Sequence, residues 1–311
     1  MTVEKFYNGS SVEEVVGLLD KYKGECKVIA GGTDIIIALK NEKISPKVLI
    51  DIGKIKELKT IEEKKDKLFI GAGVSYTGIM ESNFLNDNLY ALKRACGEVG
   101  SPQIRNKGTI GGNIANNSPA ADSVPPLIAL GSTLKIVSIR GTREVLLEDY
   151  CSNNKNLGLK DDELIIGIEF NKLKYNQSLS FSKLGLRKAL AISRISISSL
   201  IGFDENGIID LIKVASGSIG RYPMREVEVE EYLNGKELSS YNIEEAINVL
   251  QKSMDERLKG RSTLPYKRRA VEGVLKDNLI TAVCNLQHSR ENVACHLERN
   301  REISALSEVL S

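Results

Sequence analysis

Two glycine-rich stretches and one acidic residue are the groups in this chain whose types and spacing could do chemistry. The first stretch, Ala30-Gly31-Gly32-Thr33-Asp34, lies where a short apolar run gives way to a helix-like one. Glycines without Cβ let backbone amides approach an anion closely, and a helix N-terminus adds unpaired N–H groups and partial positive charge. Thr33 or Asp34 can also cap that helix, so a capped turn without a ligand is the plain reading of this stretch alone. The second stretch, Gly108-Thr109-Ile110-Gly111-Gly112-Asn113, supplies another set of close-approach amides with a hydroxyl and a carboxamide at its edges. Ser118 and Asp122 follow in SPAAD. A diphosphate needs amide donors, whereas sugar or ribityl hydroxyls need an acceptor such as a carboxylate. Two amide nests plus an acid therefore suit a dinucleotide held across its middle. Arg105 and Lys107 either add charge there or are solvated.

Other motifs fit less well. LFIGAGVSYTGIM suggests a nicotinamide-binding turn through Gly71 and Gly73, but Tyr76 stands where the third glycine belongs and no βαβ unit of the right length follows. No Gly-Lys-Ser/Thr sequence occurs, which excludes a P-loop. Five cysteines, Cys26, Cys96, Cys151, Cys284 and Cys295, form no C-x-x-C pair and make an odd total, against both a disulfide scaffold and a local iron–sulfur site. Cys284, His288 and Cys295 would share a helical face, but no fourth ligand completes a metal site, and an amphipathic or disordered tail is the simpler reading.

At 311 residues the chain is long enough for roughly two domains. Its charged residues, 27% of the total, nearly cancel to a formal +2, so nothing points to nucleic acid. No run approaches a membrane span, and the first ten residues lack a signal-peptide layout, so a cytoplasmic protein is expected.

The elements that must position the two loops follow from periodicity. Lys27 to Ala30 and Lys47 to Ile52 read as strands around a helix at Asp34 to Lys40. Leu58 to Glu62 with Lys67 to Ile70, and Thr133 to Ser138 with Thr142 to Leu146, read as hairpins. Leu85 to Val99 reads as a helix, and Leu164 to Phe170 as a strand. Between Gln103 and Val137, glycine, asparagine and proline density suggests a long irregular stretch, of the kind that is usually functional. The polar segment from Asn171 to Ser178 marks a domain boundary. Beyond it, Arg194 to Phe203 and Ile208 to Ser216 form a hairpin expected to bury one face, followed by helices at Glu226 to Leu233, Ile243 to Met254 and Tyr266 to Val283. Residues 283–311 differ in composition, holding both histidines and no glycine, proline, aromatic or lysine. An added or aberrant C-terminus is the more plausible reading of that tail.

AGGTD followed about seventy residues later by QIRNKGTIGGNIANNSPAAD resembles the FAD-binding medium subunit of the molybdenum hydroxylases, the xanthine dehydrogenase and carbon monoxide dehydrogenase group. KVASGSIGRYPMR resembles a stretch of that family's C-terminal domain. The resemblance covers roughly residues 1–282, and the paired loops in this order are its specific part.

The resemblance implies an α+β fold: a PCMH-type FAD-binding domain over 1–175, in subdomains of about 1–55 and 56–175, then a C-terminal α+β domain over 176–282. It implies that Ile29 to Ile36 and Thr109 to Asn113 wrap the FAD diphosphate from two sides and that Asp122 contacts the cofactor. A backbone contact is implied near Ile165 or Ile166. A basic residue beside the flavin is implied at Lys183, with Arg187 as its rival. The implied role is electron relay: a molybdenum-cofactor large subunit oxidises the substrate, 2Fe-2S clusters in a small subunit pass electrons on, and FAD delivers them to NAD or another acceptor. A xanthine dehydrogenase-like complex is the expectation from family frequency. The alternatives are a stand-alone PCMH-type flavin oxidase, which in many cases needs a histidine or cysteine to attach flavin, and an assembly subunit that has lost flavin.

Overall fold

The computed structural model describes residues 3–309 apart from 86, 153–156 and 188–189; the side chains of 87 and 287–309 lie outside that description. The chain opens with β1 (Lys5–Asn8), α1 (Val12–Lys21), β2 (Cys26–Ile29), α2 (Ile35–Lys40) and β3 (Val48–Asp51). All strand pairs here are parallel, in the order β1-β3-β2, and the crossovers run through the two helices, as parallel pairing requires. Val15, Val16 and Leu19 recur at helical spacing along α1 and bury against Cys26, Val48 and Ile50.

A second unit follows: β4 (Ile61–Lys64), β5 (Lys67–Gly71), α3 (Tyr76–Glu81), α4 (Tyr90–Gly97), α5 (Pro102–Lys107), α6 (Ile110–Asn116), α7 (Val124–Ala129), β6 (Thr133–Ser138), β7 (Gly141–Leu146), α8 (Leu147–Cys151) and β8 (Leu164–Asn171). Its antiparallel sheet has the order β4-β5-β8-β6-β7. Both expected hairpins are present, although Leu58 belongs to a 3-10 turn before the first of them. The helix expected from Leu85 to Val99 is shortened to α4, with two 3-10 turns ahead of it. The stretch expected to be irregular is largely helical. Ser101 accepts from the Ile104 amide with Pro102 at the first helical position, and Thr109 accepts from the Gly112 amide. The density of turn-forming residues there reflects helix caps and starts, not loop.

After the polar segment come β9 (Gln177–Leu184), β10 (Ile195–Phe203), β11 (Ile209–Gly217), β12 (Met224–Arg225), α9 (Val227–Leu233), α10 (Ser240–Arg257) and α11 (Leu264–Val309). The sheet order is β12-β11-β10-β9, antiparallel throughout. The expectation of one buried face fails, because β10 is buried on both. Ile195, Ile197 and Ile201 face a core built with α9, α10 and α11, while Leu200, with Leu179 and Phe181 of β9, joins the core of the preceding unit against α4 and α7. The alternating serines are buried too. Ser198 donates to the Ser180 carbonyl at 2.5 Å and Ser199 to the Asn278 carboxamide at 2.5 Å.

Cys284 is exposed on α11, whereas His288 and Cys295 lie outside the residues whose side chains are described. Among the described residues, no group of three or more His, Cys, Asp or Glu could hold a metal ion. Nor is any described helix long and apolar enough to cross a membrane.

Candidate functional site

A cavity of about 370 Å³ lies where the parallel unit meets the antiparallel sheet, and both glycine loops line it. Ala30, Gly31, Gly32, Thr33, Asp34 and Ile35 form one wall; Thr109, Gly111, Gly112 and Asn113 form another. Ile29 and Ile36 are not on the wall and stand beside Gly32. Ile110 is fully buried in the core.

The two loops are chemically unequal. Neither Thr33 nor Asp34 caps α2 through its side chain; the Thr33 hydroxyl lies 3.4 Å from the Asp34 carboxylate instead. Among the described residues, the amides of Gly31, Gly32, Thr33, Asp34 and Ile35 meet no acceptor in the chain, while Ile36 N–H donates to Gly32. The expectation of a capped turn therefore fails, and a run of donors is left open at the cavity. Across from it the amides of Ile110 to Asn113 are all engaged. Ile110 donates to Val74 at 3.0 Å, Gly111 to Ala72 at 2.9 Å, Gly112 to the Thr109 hydroxyl at 3.1 Å and Asn113 to the Thr109 carbonyl at 3.0 Å. The second stretch is thus not an amide nest equivalent to the first.

Its glycines serve space. A Cβ on Gly31 would lie 1.8 Å from the Lys107 carbonyl oxygen, so the first loop is seated backbone to backbone on the lead-in to the second. A Cβ on Gly111 would lie 2.5 Å from that of Ala72, so this glycine is fixed by protein packing. Gly112 differs: its Cβ would meet only the Thr109 hydroxyl, at 3.0 Å, and the residue is exposed to the cavity. Gly71 and Gly73, the rival turn, sit against the Leu58 backbone, which accounts for them structurally.

Asp122 is not on this cavity wall. It is 6% exposed, and its carboxylate accepts from the Lys183 ammonium at 2.7 Å and from the Ser193 hydroxyl at 2.5 Å. Lys183 also donates to the Glu98 carbonyl at 3.0 Å. Burial pushes the Asp122 carboxyl above its usual range, against the opposing pull of the Lys183 and Ser193 hydrogen bonds. Lys183 lines a second cavity of about 700 Å³ together with Glu98, Arg105 and Arg187. Arg187 is exposed and donates to the Leu190 carbonyl, so Lys183 and not its rival meets the acid.

Ile166 is the extra residue of a β-bulge, since β8 pairs Gly167 with Lys135 but Ile165 with Ile136. Bulges re-aim backbone groups and recur beside functional sites. Ile165 lines the first cavity; Ile166 does not, and its carbonyl accepts from Ala72. Ser118 lies off the wall and accepts from the Ala120 amide at 3.3 Å.

Sequence reasoning missed Tyr76, Asn116 and Glu163 on the first wall and Ser193 beside Asp122. Asn116 was adjacent to a motif already singled out, and Tyr76 occupied the position that disqualified the rival glycine turn. Burial pushes the Tyr76 phenol upward, so it stays protonated. Ser193 carries no local signal, lying 71 residues from Asp122.

Comparison with known proteins agrees with this architecture. Residues 2–171 match the family described as the FAD binding domain in molybdopterin dehydrogenase, and residues 180–282 match the CO dehydrogenase flavoprotein C-terminal domain. The chain is 34% identical over 287 residues to the nicotinate dehydrogenase FAD-subunit of Eubacterium barkeri, covering 91% of this chain and 97% of that protein. It is 31% identical over 166 residues to the xanthine dehydrogenase FAD-binding subunit of Escherichia coli O157:H7, covering 53% of this chain and 56% of that one. The carbon monoxide dehydrogenase of Hydrogenophaga pseudoflava shares the fold with a TM-score of 0.84 at 24% identity, covering 90% of this chain and 97% of that one. With its paired glycine loops, its antiparallel C-terminal sheet and these matches, the chain belongs to the FAD subunits of the molybdenum hydroxylases.

Proposed function

We propose that this chain holds FAD with its diphosphate against the open amides of Gly31 to Ile35, as the medium subunit of a complex with a molybdenum-cofactor large subunit and a 2Fe-2S small subunit. The observation that carries the reading is the pair of features facing one cavity: a run of amides without protein acceptors and, opposite, Gly112, whose missing side chain no protein packing requires. Both suit a diphosphate, which needs donors on one side and close backbone approach on the other. Bound FAD would supply the step between single-electron iron–sulfur donors and a two-electron acceptor, with NAD proposed as that acceptor.

In this reading Gly31, Gly32, Thr33, Asp34 and Ile35 donate to the diphosphate, with Ala30 completing their turn. Ile29 and Ile36 hold the loop from behind. Thr109 and Asn113 offer a hydroxyl and a carboxamide beside Gly111 and Gly112, Ile110 anchors them in the core, and Ile166 presents backbone at its bulge. Ser118 keeps the loop leading to Asp122 closed. The Asp122–Lys183 pair sets a fixed polar group beside the second cavity. We place the domain division near residue 175, between β8 and β9, and take the C-terminal domain to end near residue 282, within α11, where the family match stops.

The substrate is chosen in the molybdenum subunit. The xanthine expectation broadens to nitrogen heteroaromatic rings, because the similarity to a nicotinate dehydrogenase subunit extends over 91% of this chain, while that to a xanthine dehydrogenase subunit extends over 53%. The test is to purify the chain and look for flavin absorbance, denature it and ask whether FAD is released, then add NADH and follow bleaching. A yellow protein releasing FAD supports the reading. A colourless chain that refuses added FAD overturns it in favour of a flavin-free assembly subunit, and covalently retained flavin would favour the oxidase.

A further inference from the structure

A third cavity, of about 460 Å³, opens in the C-terminal domain beside Pro119 and is ringed by Arg194, Arg221, Arg261 and Lys267. Several other arginines of the chain are neutralised by an acid. Arg94, Arg140, Arg143, Arg225, Arg257 and Arg268 each meet a carboxylate. No carboxylate among the described residues pairs with the four around this cavity, nor does an acidic residue line it. Burial, and then the neighbouring Arg194 and Arg261 charges, push the Lys267 ammonium below its usual range, so like charges are crowded here without a counterion from the chain.

Neutral donors complete the wall. Ser218 takes a left-handed φ of 65° at the turn after β11, and among the described residues the amides of Gly220 and Arg221, which line the cavity, meet no acceptor in the chain. The Ser218 hydroxyl donates to the Ser193 carbonyl at 3.0 Å, and Lys267 donates to the Ser218 carbonyl, so the turn is tied to both neighbouring elements. Guanidinium forks, an ammonium and open amides around one concavity are the donor set that phosphate oxygens use. An acidic protein surface would need an extended basic face; these groups converge on a pocket.

We propose that this cavity binds a phosphate-bearing small anion, either the diphosphate of a nicotinamide dinucleotide or free pyrophosphate. Ser193, shared with Asp122, links its floor to the network that includes Lys183. The anion site itself does not require flavin to be bound, so it stands or falls separately from the proposed cofactor role.

The full chain is titrated calorimetrically with sodium pyrophosphate and with NADH at fixed ionic strength, beside an Arg221→Ala/Arg261→Ala variant. Both arginines are exposed, and unchanged melting confirms the fold; a single Arg221→Ala variant serves if the double one does not fold. The expected result is saturable binding weakened at least about tenfold in the variant, equivalent to about 1.4 kcal/mol. Weakening for both ligands assigns the site to the dinucleotide, and weakening for pyrophosphate alone assigns it to the free anion. No saturable binding of either ligand, equal binding by the variant, or capture of an acidic partner subunit without small-anion binding overturns the proposal.

Discussion

Across the first cavity, the loop at Gly31 to Ile35 leaves its amides without acceptors, whereas the amides of Ile110 to Asn113 all find acceptors within the chain. Both carry a Gly-Gly pair, and the pairs do different work. In the first, Gly31 permits backbone seating against Lys107 and Gly32 supplies a left-handed φ of 75° that turns the following amides out of the strand. In the second, Gly111 is fixed by Ala72 and only Gly112 is kept bare on the cavity side. A diphosphate bound as proposed would be gripped by hydrogen bonds from one wall and admitted by missing atoms in the other. Similar glycine motifs need not be similar donors; the accounting of each N–H separates them.

Buried charge enters this comparison from neither loop but from Asp122, further along the chain, and the largest expected effect is there. The Lys183 side chain is 5% exposed, so Asp122→Ala strands a buried ammonium and should cost about 3–5 kcal/mol in urea unfolding. Adding Lys183→Met should restore part of the loss, and a double variant no more stable than Asp122→Ala would show that the two groups are not coupled. Next comes Gly31→Ala. Its new Cβ overlaps a backbone oxygen that cannot rotate away, so the loops must part, with a cost of about 1–3 kcal/mol and loss of bound flavin. Wild-type melting with full flavin content would mean the loops are not seated on each other.

Smaller again, Thr109→Val removes the acceptor of the Gly112 amide and should lower stability by about 1 kcal/mol, while Thr109→Ser retains it. Equal melting of the two variants would show that the cap is not formed. This is the counterpart of the uncapped first loop, where Thr33→Val should leave the stability of the flavin-free chain unchanged, because its hydroxyl holds no amide.

Much of the site was legible because glycine-rich turns at strand and helix junctions are local features. The spacing of AGGTD and TIGGN found both walls, and alternating residues found both hairpins around the central sheet. Three things escaped. The helices between Pro102 and Ala129 are six or seven residues each, too short for periodicity to show, and their proline and threonine caps read as loop. Ile-Ser alternation in β10 implied a wet face, but buried serines that find acceptors are as compatible with a sheet between two layers. The Asp122, Lys183 and Ser193 cluster joins residues 61 and 71 positions apart, which only the packing of β9 and β10 against α4 and α7 brings together.

Gly112→Ala tests the inequality of the loops most directly, by comparing FAD affinity with the melting temperature of the flavin-free chain. The new methyl asks the Thr109 hydroxyl to yield by only a few tenths of an ångström, and alanine is favoured over glycine within a helix by up to about 1 kcal/mol. The flavin-free variant should therefore melt at or slightly above the wild-type temperature while its FAD affinity falls at least about tenfold, equivalent to about 1.4 kcal/mol. Undiminished FAD affinity in a well-folded Gly112→Ala chain would contradict the placement of the diphosphate between these two walls.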